Sequence, residues 1–304
     1  MVKFTRVRII RFLSSYQIFS ILFIYWFVVQ AFIRSIVSLL IATNYNLSFR
    51  LSVFILEARF LLKASYGLLF RKSFLSEKFL GYTMRFTNYL EFVLLFIEMF
   101  GIQEYRLHTK KKRPIIVDCG SGWGMSVLYF KHFYPKARII AVEANKDTTT
   151  FLRENIKRNN IRDVTIRTAF VCGRKGQHSF YSFKTLGGWS VSDSGATDFA
   201  DTLGNFTETW VSSLPLSTLL RHGADVVKLD IEGMEAEALE SAQKELEHVV
   251  EVVIEYHPGM NEKHNRFMQI RRVLKNAGMR FSVVNTKSLF PKKDDLCMIY
   301  AMRA

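Results

Sequence analysis

The stretch Ile115-Ile116-Val117-Asp118-Cys119-Gly120-Ser121-Gly122-Trp123-Gly124 constrains this chain more than any other. Its apolar first half, entered through Arg113-Pro114, reads as a fully buried parallel strand. Three glycines at alternate positions then turn the chain into the amphipathic segment Met125 to Phe133. Glycine suits a backbone that takes positive φ and lets a ligand approach where a Cβ would intrude. The unpaired N–H groups of a helix start point at the same spot, so a nucleotide-like ligand is the expected occupant. A tight glycine-rich turn without a ligand is the plain alternative, and the next strand weighs against it. Arg138 to Val142 is closed by Glu143, about 25 residues beyond Asp118, where an acid in a doubly wound sheet accepts hydrogen bonds from a ribose diol.

From Arg113 onward, strand and helix patterns alternate. Strand 115–119, helix 124–133, strand 138–143, helix 147–160 and strand 163–169 make a right-handed βαβαβ unit. A short strand at 179–183 is followed by Thr185 to Thr209, rich in Gly, Ser, Thr and Asp, with Trp189 inside it. A polar connection of that length in a compact domain shapes a binding site or stays unstructured. Regularity returns with helix 215–222, strand 225–230 ending on Asp230, helix 234–246, strand 249–254 leading to Glu255 and His257, and helix 263–277. Glu235, Glu237 and Glu240 sit at the start of a helix, where acids often serve only as dipole partners. That explains Glu237 and Glu240, whereas Asp230 stands at the carboxyl end of a central strand, where ligands bind in this architecture. The runs 280–284 and 296–302, separated by a turn-rich segment, read as a terminal antiparallel hairpin.

That ending discriminates between cofactors. An all-parallel dinucleotide-binding sheet would not finish on a hairpin; a seven-stranded sheet with one reversed strand marks S-adenosylmethionine-dependent methyltransferases. VDCGSGWG, AVEAN, VVKLDIEGMEAEAL and VIEYHP, in this order and spacing, resemble the FkbM family of methyltransferases over about residues 80–302. The KLDIEG-x-E string is the specific part and the glycine loop the generic part. The resemblance implies an α/β, Rossmann-like seven-stranded sheet closed by an antiparallel hairpin, with S-adenosyl-L-methionine as methyl donor. It further implies that Gly120, Gly122 and Gly124 approach the methionine part of the cofactor. Asp118 braces the loop, Glu143 takes the ribose hydroxyls, Asn145 lies near the adenosine, and Asp230 faces the ammonium or methyl group. The family often has Asn-Ile where Gly122-Trp123 stands here, so Trp123 would crowd or stack on the cofactor.

Methylating a hydroxyl requires a base. His257, oriented by Glu255 or Glu232, is the expected one, since imidazole titrates near neutrality; the expected catalytic set is His257, Asp230 and Glu255. Packing or capping before Pro258 is the plain reading of His257. Asp230, Glu232 and His257 are an alternative divalent-ion set, yet no compact ligand spacing supports a metal site, and none is expected. Trp189 and Glu232 are the expected substrate contacts, suited to a sugar, glycolipid or other hydroxylated small molecule. Two rival functions are an NAD-type oxidoreductase, which the terminal hairpin and DIEGME disfavour, and a non-catalytic membrane scaffold, which the intact acids and glycines disfavour. Cys119, Cys172 and Cys297 are odd in number and far apart, excluding a disulfide framework or CxxC site.

Composition matters most before Arg113. The chain of 304 residues is 49% hydrophobic with 27 phenylalanines, and the excess is local. Phe12 to Ile33 carries no charge and is long enough, against about 20 residues per span, to cross a bilayer; a helix in a protein core is the alternative. Residues 1–113 hold 17 Lys and Arg against 5 acids, a net of +12, whereas the remainder holds 25 against 22, a net of +3. Basic residues interleaved with long apolar runs favour an anionic membrane surface over nucleic acid. The expected organisation is a basic apolar membrane-associating region (1–56), a helical lead-in (57–112) and a methyltransferase domain (113–304). The protein is expected to be membrane-associated, by a span, a hairpin or an interfacial helix, with its catalytic domain facing the cytoplasm. A small-molecule or glycan- or lipid-linked acceptor is the expected partner.

Overall fold

The computed structural model describes residues 17–41, 45–185, 189–190, 206–258, 266–285 and 297–303. The chain divides into two compact units, residues 1–106 with 184–190, and residues 107–183 with 191–304.

The first unit is mostly helical. Helix α1 (Gln17–Ile41) runs unbroken through Arg34, and α2 (Leu47–Phe70) starts at Asn46, whose side chain accepts a hydrogen bond from the Phe49 amide at 2.8 Å. A strand pair, β1 (Ser76–Phe79) and β2 (Tyr82–Arg85), follows, then α3 (Tyr89–Phe96), which passes directly into a π-helix over Ile97–Ile102. The helical lead-in expected over 57–107, with a break at Gly81, holds a hairpin at that break. Its turn is Leu80-Gly81, both at positive φ (44° and 85°), the two-residue geometry that twists with its strands. Local turn chemistry wins there over the apolar periodicity on either side.

Phe60, Phe79, Phe92, Phe96 and Phe100 build the core of this unit by edge and stacked contacts. Inside it lies Glu57, fully buried, with both carboxylate oxygens accepting from the Ser35 hydroxyl at 2.7 and 2.9 Å. Burial pushes its pKa up to about 8, against the lowering effect of Ser35. The outer faces are apolar: Trp26, Ile33, Val37 and Leu40 on α1, and Leu47, Leu51, Phe54, Ile55, Leu62 and Leu69 on α2, are exposed. Among the described residues no helix is long and apolar enough to cross a membrane. The span expected over 12–33 thus finds no support among them, and residues 12–16 lie outside the described residues.

The second unit is the α/β half. Its main elements are β3 (Ile115–Cys119), α4 (Met125–Phe133), β4 (Arg138–Glu143), α5 (Lys146–Arg158), β5 (Val164–Thr168), β10 (Val226–Leu229), α7 (Glu235–Ser241), β11 (Glu251–Tyr256), α8 (Phe267–Asn276), β12 (Met279–Val284) and β13 (Cys297–Arg303). Seven strands form one mixed sheet in the order β12-β13-β11-β10-β3-β4-β5. The strands from β11 to β5 are parallel, and β13 runs antiparallel to both of its neighbours. The reversed strand and terminal hairpin read from the sequence are both present. Strands β3 and β10 are almost wholly buried, which is why they read as continuous apolar runs rather than alternating ones.

A smaller sheet pairs β6 (Phe170–Cys172) and β7 (Gly176–Thr185) with β9 (Phe206–Pro215), and the short α6 (Leu216–Leu220) follows it. The helix expected over 234–246 is shorter than its pattern. It stops at Ser241 and resumes as a 3-10 turn over Glu245–His248. Cys119 and Cys172 are buried and Cys297 half-buried, all three as free thiols.

Candidate active site at the carboxyl ends of the central strands

The register of the parallel strands decides which side chains meet. Leu229 of β10 pairs with Cys119 of β3 and with Ile254 of β11. The residues leaving those strands, Gly120, Asp230 and Glu255, therefore emerge side by side at one edge of the sheet.

The glycine loop has the predicted character. Gly120, Gly122 and Gly124 have φ of 78°, 52° and 97°, the left-handed region that favours glycine. A Cβ on Gly120 would overlap the carbonyl oxygen of Asp230, and one on Gly124 would come within 2.7 Å of Leu152. Around Gly122 there is open space, with nothing within 4 Å of the Cβ position. The Gly122 amide donates to Glu143 Oε2 at 2.9 Å, and the Asn145 amide to Glu143 Oε1 at 2.8 Å. Glu143 thus ties the glycine loop to the turn before α5. Asn145 caps α5, accepting from the Asp147 and Thr148 amides. Asp118 is fully buried and accepts from the Ser126 hydroxyl at 2.6 Å, tying the strand end to the first turn of α4. An open glycine cradle with an acid at its rim fits the ribose and methionine ends of S-adenosylmethionine. Trp123 is buried, and its carbonyl accepts from the Asn155 side chain at 2.9 Å.

Lys228 is a residue the sequence reading passed over, because it sits inside an apolar strand. Only 1% exposed, its ammonium lies 3.3 Å from both Asp118 Oδ1 and Asp230 Oδ2 and donates to the Gly120 carbonyl at 2.6 Å. Burial alone would lower its pKa, but the Asp118 and Asp230 carboxylates outweigh that and hold it charged. One cation therefore bolts the glycine loop to the acidic end of β10.

On the other side of Asp230, four carboxylates surround one imidazole. His257, 3% exposed, faces Glu235 with Nδ1 at 3.1 Å. Its Nε2 faces Glu232 at 3.3 Å, Glu255 at 3.9 Å and Asp230 at 4.0 Å. The ring is thus flanked by Glu235 at Nδ1 and by Glu232 at Nε2, with Glu255 farther off. Glu235 is fully buried and also accepts from the Gly233 amide at 3.1 Å. It was hidden in sequence among the first-turn acids; Glu-x-x at the start of a helix gave no hint that one of them points back at a strand end. Glu237 and Glu240, read as dipole partners, have side-chain partners of their own, the Gly173 amide and Arg272.

These carboxylates fix the charge state of the cluster. Burial works against a charged imidazole, but Glu232, Glu235 and Glu255 prevail and raise the His257 pKa well above its ordinary value. Glu232, with φ of 52°, is pushed up to about 8 by burial and by Asp230, Glu255 and Glu235, with His257 opposing. A carboxylate 3.3 Å from an imidazole nitrogen is an arrangement able to take up one proton. Of the expected substrate contacts, Glu232 joins this cluster, while the side chain of Trp189 and residues 191–205 lie outside the described residues.

The sequence model of the methyltransferase FkbM domain matches residues 118–281, from the end of β3 to the start of the terminal hairpin. No curated protein matches the chain. Among solved structures, precorrin-6y C5,15-methyltransferase from Geobacter metallireducens is similar at 17% identity and a TM-score of 0.37, covering 66% of this chain and 84% of that one. Aeropyrum pernix fibrillarin with natively bound S-adenosyl-L-methionine is similar at 14% identity and a TM-score of 0.37, covering 64% and 70%.

Proposed function

From the chain's membership of the FkbM methyltransferase family, we propose that it transfers a methyl group from S-adenosylmethionine to a hydroxyl of a sugar, glycolipid or other small molecule, and that it works attached to a membrane. The observation that carries the first part is the acid and imidazole cluster next to the glycine loop. Bound S-adenosylmethionine supplies an activated methyl on a sulfonium; the C–O bond forms as the C–S bond breaks, and the bonding pair leaves with sulfur. What remains for the chain is to hold the acceptor in line and receive its proton.

Glu232 is the proton acceptor in this reading. His257, between Glu235 at Nδ1 and Glu232 at Nε2, orients Glu232. Glu235 positions the ring. Asp118, Gly120, Gly122, Gly124, Glu143 and Asn145 bind the cofactor, and Asp230 faces its cationic end, with Lys228 fixing the distance between Asp230 and the loop. Glu232 contacts the acceptor.

Membrane attachment rests on the exposed apolar faces of α1 and α2 together with the net charge of +12 before residue 114. Soluble surfaces seldom expose apolar residues at helical spacing along two helices. Helices lying in the interface, rather than spanning, would suit them, with the second unit on the cytoplasmic side.

Labelled S-adenosylmethionine, incubated with the full chain and glycan or lipid extracts, tests the activity. The expected result is transfer that Glu232→Gln abolishes while cofactor binding persists. Turnover by Glu232→Gln would remove it as the base. Sedimentation with phosphatidylcholine vesicles, with and without phosphatidylglycerol, tests the attachment; a chain left in the supernatant with both would overturn it.

A further inference from the structure

We infer that Asp230, Glu255 and His257 form a binding site for a divalent first-row metal ion, placed where an acceptor hydroxyl would meet the methyl donor. The inference rests on the hydroxyl-methylation reading only for what the ion does, not for whether it binds.

Strand register brings the three donors together. Asp230 and Glu255 leave adjacent parallel strands side by side, and His257 follows two residues later. One donor atom from each lies within 4.8 Å of the others. The Nε2 of His257 is 3.9 Å from Glu255 Oε1 and 4.0 Å from Asp230 Oδ1. Ligands bonded at about 2.1 Å to one ion stand roughly 3–3.4 Å apart, so the triangle has to contract by about 1 Å. Asp230, a quarter exposed, has room for that adjustment.

The second observation is the far side of the imidazole. Nδ1 is held at 3.1 Å by Glu235, a fully buried carboxylate, so in the neutral ring the proton sits on Nδ1 and the Nε2 lone pair points at the carboxylates. A carboxylate behind the remote nitrogen is how metal-bound histidines are oriented and made more basic. Two further carboxylates, Glu232 and Glu235, face the same ring. One nitrogen and two carboxylates suit Mn2+, Zn2+ or Fe2+ better than the all-oxygen shell typical of Mg2+. The ion would polarise the acceptor hydroxyl and leave Glu232, 3.3 Å from Nε2, to receive its proton.

Mn2+ titrated into the full chain without cofactor or acceptor, and followed by the loss of the free-ion EPR signal, tests the site directly. One ion per chain is expected, with nitrogen coupling from one imidazole in the pulsed EPR spectrum. Glu255→Gln and His257→Gln should each weaken binding tenfold or more, whereas Glu240→Gln, on the surface with Arg272, should leave it unchanged. A chain that binds S-adenosylmethionine but not Mn2+, a bound ion without nitrogen coupling, or binding that survives both substitutions would overturn the proposal. Should the substituted chains fail to fold, the wild-type spectrum alone decides. Mn2+ bound through an imidazole in a chain that methylates no hydroxyl would sink the activity reading and leave the metal site standing.

Discussion

Gly120 and Gly122 are two residues apart in one loop, yet the structure assigns them different consequences on substitution. At Gly120 an alanine would carry φ of 78° and its Cβ would overlap the Asp230 carbonyl oxygen. The left-handed conformation costs about 1–2 kcal/mol. Separating the two atoms to ordinary contact, about 3.5–4.0 Å, requires moving the loop or the end of β10, at a further cost of roughly 1–3 kcal/mol for an overpacked site. Neither side yields easily, because the Asp230 amide donates to the Cys119 carbonyl at 3.1 Å and Lys228 ties the Gly120 carbonyl to Asp230. The total of about 2–5 kcal/mol corresponds to a melting point lower by about 5–15 °C for a unit of this size. At Gly122 only the backbone term applies, about 1–2 kcal/mol, since its Cβ would meet open space. In the proposed reading that space receives the cofactor, so Gly122→Ala should melt within about 5 °C of the wild type and bind S-adenosylmethionine at least tenfold more weakly. Circular dichroism melts and calorimetric titration with the cofactor separate the two effects. A Gly120→Ala chain that melts like the wild type would refute the packing argument. Wild-type affinity in Gly122→Ala would refute the assignment of the open space.

Three further outcomes follow from the buried charges. Glu143→Ala removes the acceptor of the Gly122 and Asn145 amides, and cofactor affinity should fall at least tenfold with little change in melting. Lys228→Met leaves Asp118 and Asp230 facing each other across a vacated ammonium, a loss of about 3–5 kcal/mol; adding Asp118→Asn should restore part of the melting point, and no restoration would argue against charge as the cause. Glu57 is neutral in the folded chain because burial raises its pKa to about 8, while unfolded it ionises near 4.5. Its contribution is complete below the unfolded value and lost as pH rises through about 8, so the helical unit should melt progressively lower from pH 5 to 9. Glu57→Gln should flatten that slope, and an unchanged slope would place its origin elsewhere.

Much of the architecture is legible in the residues. Strands β3, β4 and β10 are apolar because both faces are covered, and their ends are marked by Asp118, Glu143 and Asp230, the residues expected to bind ligand. The terminal hairpin, which separates this sheet from a dinucleotide-binding one, shows in the turn-rich segment before Cys297. The loop glycines needed no tertiary information, since alternate glycines between a strand and a helix leave few backbone conformations open.

Gly81 marks a break in the helical rhythm, but periodicity over a window cannot show that the break is a two-residue hairpin turn. Lys228 reads as one charge in a hydrophobic strand; only the sheet shows that it lies between Asp118 of the neighbouring strand and Asp230 at the end of its own. Glu235 and His257 are 22 positions apart, and nothing local couples them. They meet because the helix after β10 starts beside the end of β11, a consequence of parallel strand register. Asp230 and His257 already belong to the alternative divalent-ion set, and Glu255 joins them only through the same register. Periodicity and glycine placement are properties of neighbours along the chain and can be read there, whereas a site assembled from the ends of adjacent parallel strands exists only once hydrogen-bond register has set those ends side by side.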